Sequence, residues 1–431
     1  MKQNFFISQL FFALSLVAIL VGGCAQGGSG DFFNDQIFNT VVFRPDMSDM
    51  QVKVQTALIN ARNGQRFLFK AGTYQFNSTI SMEGKEDIII EGEGMNNTIL
   101  SFAGQVVGAE GLKFTGTNDL VVANLTIENA KGDGIKIKDA DGIALINVGA
   151  VWTGEPGPNN GAYGLYPVTS TNVLIDGCYV RGASDAGIYV GQTSGCIVRN
   201  SKVEYCVAGI EIENTSNADV HSNLCIHNTG GVLVFDLPQL PIKNGTKNRV
   251  YNNQIIQNDY KNFAPPGNMV ANVPPGTGVL LMSAQEVEIF GNQISDNNVM
   301  GVGAIAYLTL VALDPTQAYN DAEYDPYSHG IYIHDNNFSR STQMPTESNA
   351  IGVIVQSLFP GGNIPDILYD GYIYPNSTDA DRICIQNNGN AAFANLDVQH
   401  DFAGISTDAS AYQCAQTPIP APVVSFPRYP R

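Results

Sequence analysis

Glu211 and Glu213 are separated by one residue in Gly209-Ile210-Glu211-Ile212-Glu213-Asn214. Alternate side chains of an extended strand share a face, which puts their Cβ atoms roughly 6.5–7 Å apart. Side-chain flexibility lets such a pair reach the separations used in glycoside hydrolysis. Like charges this close raise one pKa, which suits an acid working with a base. Twenty-two residues before Glu211, Tyr189 occupies the matching place in Gly187-Ile188-Tyr189-Val190. A tyrosine there can stack on a sugar ring or donate the proton in a lyase or epimerase. Asp185 and Asp133 precede equivalent strands and offer hard oxygen ligands for Ca²⁺ or, the commoner role, turn caps. Phe235, Tyr260 and Phe263 border long loops and either wall a cleft or pin those loops.

Other constellations fall away on their spacing. His221 and His227 flank Cys225 but match no standard ligand pattern, so no metal site is assigned. The chain carries 22 Lys+Arg against 40 Asp+Glu, a formal net charge of −18. Such a surface repels phosphate backbones and excludes general nucleic-acid binding. It also disfavours acidic polymers unless cations bridge them. A hydrophobic content of 44% supplies a core and excludes wholesale disorder. There is no P-loop, dinucleotide fingerprint or Gly-x-Ser-x-Gly elbow.

A repeat positions the candidate residues. Gly followed by alternating apolar residues recurs at Gly134, Gly187, Gly209, Gly231 and Gly278, with Gly164 in the same series. Gly187, Gly209 and Gly231 are spaced by 22 residues. A second motif is interleaved, as in Asn172-Val173-Leu174-Ile175-Asp176 and Gly195-Cys196-Ile197-Val198-Arg199-Asn200. Two or three short strands per period, punctuated by Gly and Asn, predict an all-β fold, a right-handed parallel β-helix whose coils stack to bury their apolar faces. A leucine-rich repeat has a similar period but needs a Leu-rich consensus with a helical half, and here the apolar sites are mostly Ile and Val.

Stacking makes residues one period apart into vertical neighbours. The outward row becomes Lys136, Tyr166, Tyr189, Glu211, Leu233 and Leu280, with Lys138, Gly191, Glu213 and Phe235 beside it. Tyr189, Glu211 and Glu213 are the catalytic candidates, and Lys136, Tyr166, Asp185 and Phe235 the substrate-binding ones. At about 4.8 Å per coil, Lys136 lies roughly 14 Å from Glu211 and cannot neutralise the pair. The two glutamates must then accept a cation such as Ca²⁺, meet a substrate, or form a solvated acidic face. Asn200, Asn223, Asn253 and Asn292 recur at turns and predict a hydrogen-bonded asparagine ladder.

Ser48 and Gln51 form a capping box for a helix with Val54, Ala57, Leu58 and Ala61 on one face, which would cover the N-terminal edge. Strands Phe67 to Phe69 and Ile88 to Ile90 begin the coils. Insertions fall at 152–163, 236–247 and 257–277, where solenoids usually carry function. Strands are expected at Gly330 to Asn337 and Ile351 to Val355, followed by an irregular end from Pro360 whose Pro-rich tail serves as a strap or loose end. Cys384 and Cys414, both in that end, are expected to pair; Cys178, Cys196, Cys206 and Cys225 fit buried thiols as well as bridges.

Lys2, the apolar stretch Phe5 to Val21 and the small residues before Cys24 read as a secretory signal. Val21-Gly22-Gly23-Cys24 resembles the lipobox of bacterial lipoproteins, which implies lipidation of Cys24 and a membrane anchor, at the outer membrane because Ala25 is not acidic. The expected layout is signal 1–23, tether 24–47, β-helix 48–359 and closing segment 360–431. From Val52 to Ile354 the chain resembles the right-handed parallel β-helix superfamily that includes pectate lyases and mannuronan epimerases. More narrowly, Asp185 to Gln192, Gly209 to Asn214 and Gly230 to Pro238 resemble a bacterial family of β-helix lipoproteins. That resemblance implies fold and no activity. Asp-Pro-His-Asp, Gly-His-Gly with paired aspartates and the pectate-lyase arginine motif are absent, so no catalytic residue carries over. The expectation is an envelope-anchored lipoprotein that binds a polysaccharide, with cleavage or epimerisation as the accessible chemistry. The alternative is a non-catalytic accessory protein contacting a partner through its loops.

Overall fold

Ile and Val at alternate positions leave no choice but to turn one side of each short strand inward. In the computed structural model, which describes residues 39–341 and 344–425, these strands wind into a parallel β-helix. The signal segment and Cys24 lie outside the described residues. One coil reads Ala186–Gly191, Ser194–Arg199 and Lys202–Glu204, and the next Ala208–Glu213, Ser216–His221 and Leu224–Ile226. The first strands of successive coils form an eleven-stranded parallel sheet among the described residues. The second and third form one bent sheet, continuous because Asn118–Glu128 and Asp141–Val151 run around its corner. Ile188, Val190, Ile210, Ile212, Val232 and Val234 fill the interior almost without exposure.

The corner between second and third strands repeats a two-residue device. A left-handed residue turns the chain, as at Asn200 (φ 52°), Ser222 (φ 57°) and Asn252 (φ 53°), and the next residue points inward. Asn223, Asn253, Asn292, Asn336 and Asn388 thereby form a ladder, each Nδ2 donating to the next Oδ1 at 2.9–3.0 Å. Such bonds contribute about 1 kcal/mol each where the alternative is an unpaired buried amide. Asn200 is not a member: it is the turning residue, and Ser201 holds its coil's ladder place, its amide donating to Asn223 Oδ1. A second ladder, Asn228–Asn258–Asn297, lines the next corner.

Three further expectations are corrected. Helix α1 (Met50–Ile59) does cover the N-terminal end with Val54 and Leu58 buried, but its N-cap is Asp49 and no side chain caps it. Gln51 instead accepts from the amides of Asn77 and Ser78, tying the helix to the first coils. Residues Ile351 to Val355 are helical, within α3 (Ala350–Leu358), because Asn349 caps the segment and its apolar side packs on the barrel. A preceding helix, α2 (Tyr307–Leu313), lies in an insertion the sequence did not reveal. The coils also continue past Pro360 through Ile367–Tyr369, Ile383–Gln386 and Phe393–Asn395, and begin before the helix with Asn39–Phe43.

Cys384 and Cys414 form a disulfide, whereas Cys178, Cys196, Cys206 and Cys225 are buried free thiols. The tail is a strap: the Ile419 amide donates to Glu288 Oε2 and its carbonyl accepts from Arg249. No helix among the described residues is long and apolar enough to cross a membrane.

Candidate acid–base site

Register decides which side chains meet. Lys136 lies opposite Tyr166, Tyr189 opposite Glu211, Glu211 opposite Leu233, and Leu233 opposite Leu280. Leu165 opposite Ile188 completes the row by bringing Tyr166 beside Tyr189, their rings 4.9 Å apart edge to face. The second row holds as well, with Val168 between Lys138 and Gly191, then Glu213 and Phe235.

The row is not a solvated acidic face. Glu211 is 2% exposed, Glu213 8%, Asp185 5% and Tyr189 4%. Leu233 and Phe235 lie on the next coil, and Val270 and Val273 of the insertion 257–276 pack over them, removing water from the carboxyls. The insertion also sends in a polar group: Asn268 Nδ2 donates to Asp185 Oδ2 at 3.3 Å. Asp185 is therefore drawn into the cluster, and not a turn cap. Its other oxygen, Oδ1, and Glu211 Oε2 find no donor, and Glu211 lies close enough to Asp185 for the two carboxyls to hydrogen-bond once one of them carries a proton. Only a shared proton makes such a contact favourable.

Glycine makes the second contact possible. The Tyr189 ring lies across Gly191, where a Cβ would fall 2.3 Å from it. Because Gly191 is opposite Glu213, the ring reaches sideways and its hydroxyl donates to Glu213 Oε1 at 2.6 Å.

Burial dominates the electrostatics. It pushes Asp185 up to about 7, helped by the Glu213 charge and opposed by the Asn268, Tyr163 and Glu211 hydrogen bonds. Glu213 also rises to about 7 through burial, the Tyr189 donor holding it lower than burial alone would. Glu211 is driven further above its ordinary range by burial, the charges of Asp185 and Glu213, and the bond to Asp185. Burial pushes the Tyr166 hydroxyl up to about 12, and Tyr163 and Tyr189 also rise. At neutral pH the arrangement holds both protonated and ionised carboxyls, the pairing that acid–base catalysis requires.

The remaining candidates divide. Tyr166 belongs to the site's edge, with the Lys136 ammonium 4.5 Å above its ring. Lys136 itself pairs with Asp133 at 3.6 Å and stays with the earlier coils. Asp133 and Asp185 do not converge, and among the described residues no three His, Cys, Asp or Glu side chains are arranged to hold a metal ion. Phe235 is buried and, with Val273, Leu280 and Met282, lines an apolar cavity of about 50 Å³. Tyr260 pins its loop by donating to Glu155 Oε1 at 2.9 Å, and Phe263 is buried in the same cluster. His221 and His227 stack on Tyr251 and Tyr205 while Cys225 sits in the core.

Tyr163, Asn268 and Asp236 were not among the predicted residues. The Tyr163 ring packs on Tyr166 and Tyr189 at 4.5 and 4.6 Å. It immediately precedes Gly164, so the repeat carried a signal for it. Asn268, deep in an insertion, left none. Asp236 accepts from the amides of Asn244 and Gly245, shaping the loop beside Glu213. Burial raises it to about 8.

The family model described as "Right handed beta helix region" matches residues 110–260 and 158–357, together more than half the chain. Among curated proteins none matches. Solved structures give fold-level likeness only. The A-module of an Azotobacter vinelandii mannuronan C-5 epimerase is 14% identical at a TM-score of 0.45, covering 79% of this chain and 89% of that one. The DFA-IIIase of Arthrobacter chlorophenolicus A6 is 10% identical at 0.43, covering 81% and 88%. An alginate lyase from Paenibacillus sp. strain FPU-7 is 15% identical at 0.34, covering 59% and 94%.

Proposed function

The chain belongs to the right-handed β-helix family, and from that premise we propose that Asp185, Glu211 and Glu213 are the acid–base centre of a glycan-hydrolysing site. The observation that carries this reading is three acidic side chains buried together on one face with Tyr189 and Asn268 as their donors. Glu211, sharing its proton with Asp185, is the general acid. Glu213, oriented by Tyr189, is the base. Lyase or epimerase chemistry on a uronate is favoured by positive charge beside the substrate carboxylate, and Lys136 stands three coils from Glu211. A neutral polysaccharide is therefore the favoured substrate, and Ca²⁺ enters as an ion bridging an acidic glycan to the surface. The same burial favours a second reading, an accessory protein whose loops contact a partner without catalysis.

The test is incubation with neutral and acidic glycans, with and without chelator, for wild type and Glu211→Gln. New reducing ends from a neutral glycan, lost in Glu211→Gln by about 10²-fold or more, support the hydrolytic reading. Turnover indifferent to that change defeats it. For the address, we propose lipidation at Cys24 and an outer-membrane anchor; a Cys24→Ala chain that stays with the membrane fraction contradicts it.

A further inference from the structure

We propose, resting on the hydrolytic reading, that the site accepts the end of a neutral glycan chain and not its middle. Along the row through Glu211, Ser81, Lys113, Lys136 and Tyr166 are half-exposed, whereas Tyr189, Glu211, Leu233 and Leu280 are buried. The row through Glu213 changes one coil earlier. Glu83 and Lys138 are exposed, and Val168, Gly191, Glu213, Phe235 and Met282 are buried. The outer face is thus open over the first coils and is covered from the acid cluster onward.

Three walls close it. Behind the acids, Val270 and Val273 cover the coils, and Leu310 of α2 and Val355 of α3 continue that cover. On one edge the Tyr260–Glu155 bond joins two insertions across the face. On the other, Asn214 Nδ2 donates to the carbonyls of Leu237 and Ile242 at 2.9 and 3.0 Å and holds the loop after Phe235 in place. A polymer passing through would displace a wall in either direction. A chain end needs entry only past Tyr163 and Tyr166, the half-buried rings that face the open coils. Lys113 and Lys136 on the approach are each paired with an acid, Glu110 at 3.2 Å and Asp133 at 3.6 Å, so the open face offers no unbalanced positive charge there for an anionic chain.

In the step itself the terminal glycosidic C–O bond breaks. The proton of Glu211 goes to the leaving oxygen, and a water oxygen bonds to the anomeric carbon as Glu213 takes its proton. One water is consumed per terminal unit released, and proton exchange among the carboxyls restores the starting state.

A ladder of neutral oligosaccharides, free or blocked at one or both ends, tests this with the full chain. Stepwise release of small sugars from one end, with blocking of that end stopping release, is the expected result. In Glu211→Gln, blocking both ends weakens binding roughly tenfold or more, equal to the loss of about 1.4 kcal/mol. Mid-length fragments at the earliest times overturn end recognition while leaving the hydrolytic reading intact. Binding that requires a free end without turnover supports end recognition and sinks hydrolysis. Neither binding nor turnover of any neutral glycan overturns both.

Discussion

The two outer faces of the same coils treat buried acids in opposite ways. On the bent sheet, beneath the C-terminal strap, Asp219 receives a bidentate Arg249, Nε at 2.7 Å and Nη2 at 2.5 Å, and Glu288 has His334 Nε2 at 3.0 Å and the Ile419 amide. On the other face, Asp185, Glu211 and Glu213 have hydroxyl and amide donors and one another, with no Lys or Arg among the described residues paired to them. Where a scaffold needs only to hold a strap, each buried carboxylate receives a donor set that ends its chemistry. Where three carboxyls are buried without that, protons must neutralise them, and the protons remain transferable. Buried perturbed carboxyls of this kind mark functional sites more often than structural ones.

The largest expected effect breaks the neutralised face. Arg249→Leu leaves Asp219 buried with the Tyr251 hydroxyl but no cation beside it, and unfolding free energy should fall by about 3 kcal/mol, read from the urea midpoint. An unchanged midpoint would mean that the ion pair is not what separates the two faces. A smaller effect sharpens the other side. Tyr189→Phe removes one hydrogen bond and should change stability by about 1 kcal/mol or less. It should also raise the pKa of Glu213, since the hydroxyl donor favours the ionised form. A carboxyl titration followed by NMR would show that shift, and its absence would place the Tyr189 hydroxyl elsewhere.

The rows were legible because Gly and the alternating Ile and Val fix both period and face: Tyr189, Glu211 and Glu213 followed from counting. Their burial was not legible. It depends on Asn268, Val270 and Val273 in a loop with no periodicity, and on α2 and α3, which interrupt the repeat. Ile351 to Val355 misled because a short β-branched run suits a strand until Asn349 caps it as a helix. Asn200 misled because turning and ladder positions are adjacent and both accept asparagine. The shared non-repetitive end predicts the Cys384–Cys414 bond, whereas the spacing of Cys178, Cys196, Cys206 and Cys225 does not separate free thiols from bridges.

On the acid–base reading, the folded state keeps protons on the acid cluster that the unfolded chain would release. Asp185 moves from 3.8 to about 7 and Glu213 from 4.5 to about 7 on folding, and Glu211 moves in the same direction. A group whose pKa is raised by folding adds stability below its unfolded value and loses it as pH rises through the folded one. Comparing the unfolding free energy of wild type with Asp185→Asn, Glu211→Gln, Glu213→Gln combined, from about pH 4 to pH 8, isolates this contribution. Wild type should lose stability relative to the triple variant across that range, most steeply between about pH 5 and pH 6.5, where the unfolded carboxyls are ionised and the folded ones still hold their protons, and less steeply above about pH 7. Parallel profiles would contradict it.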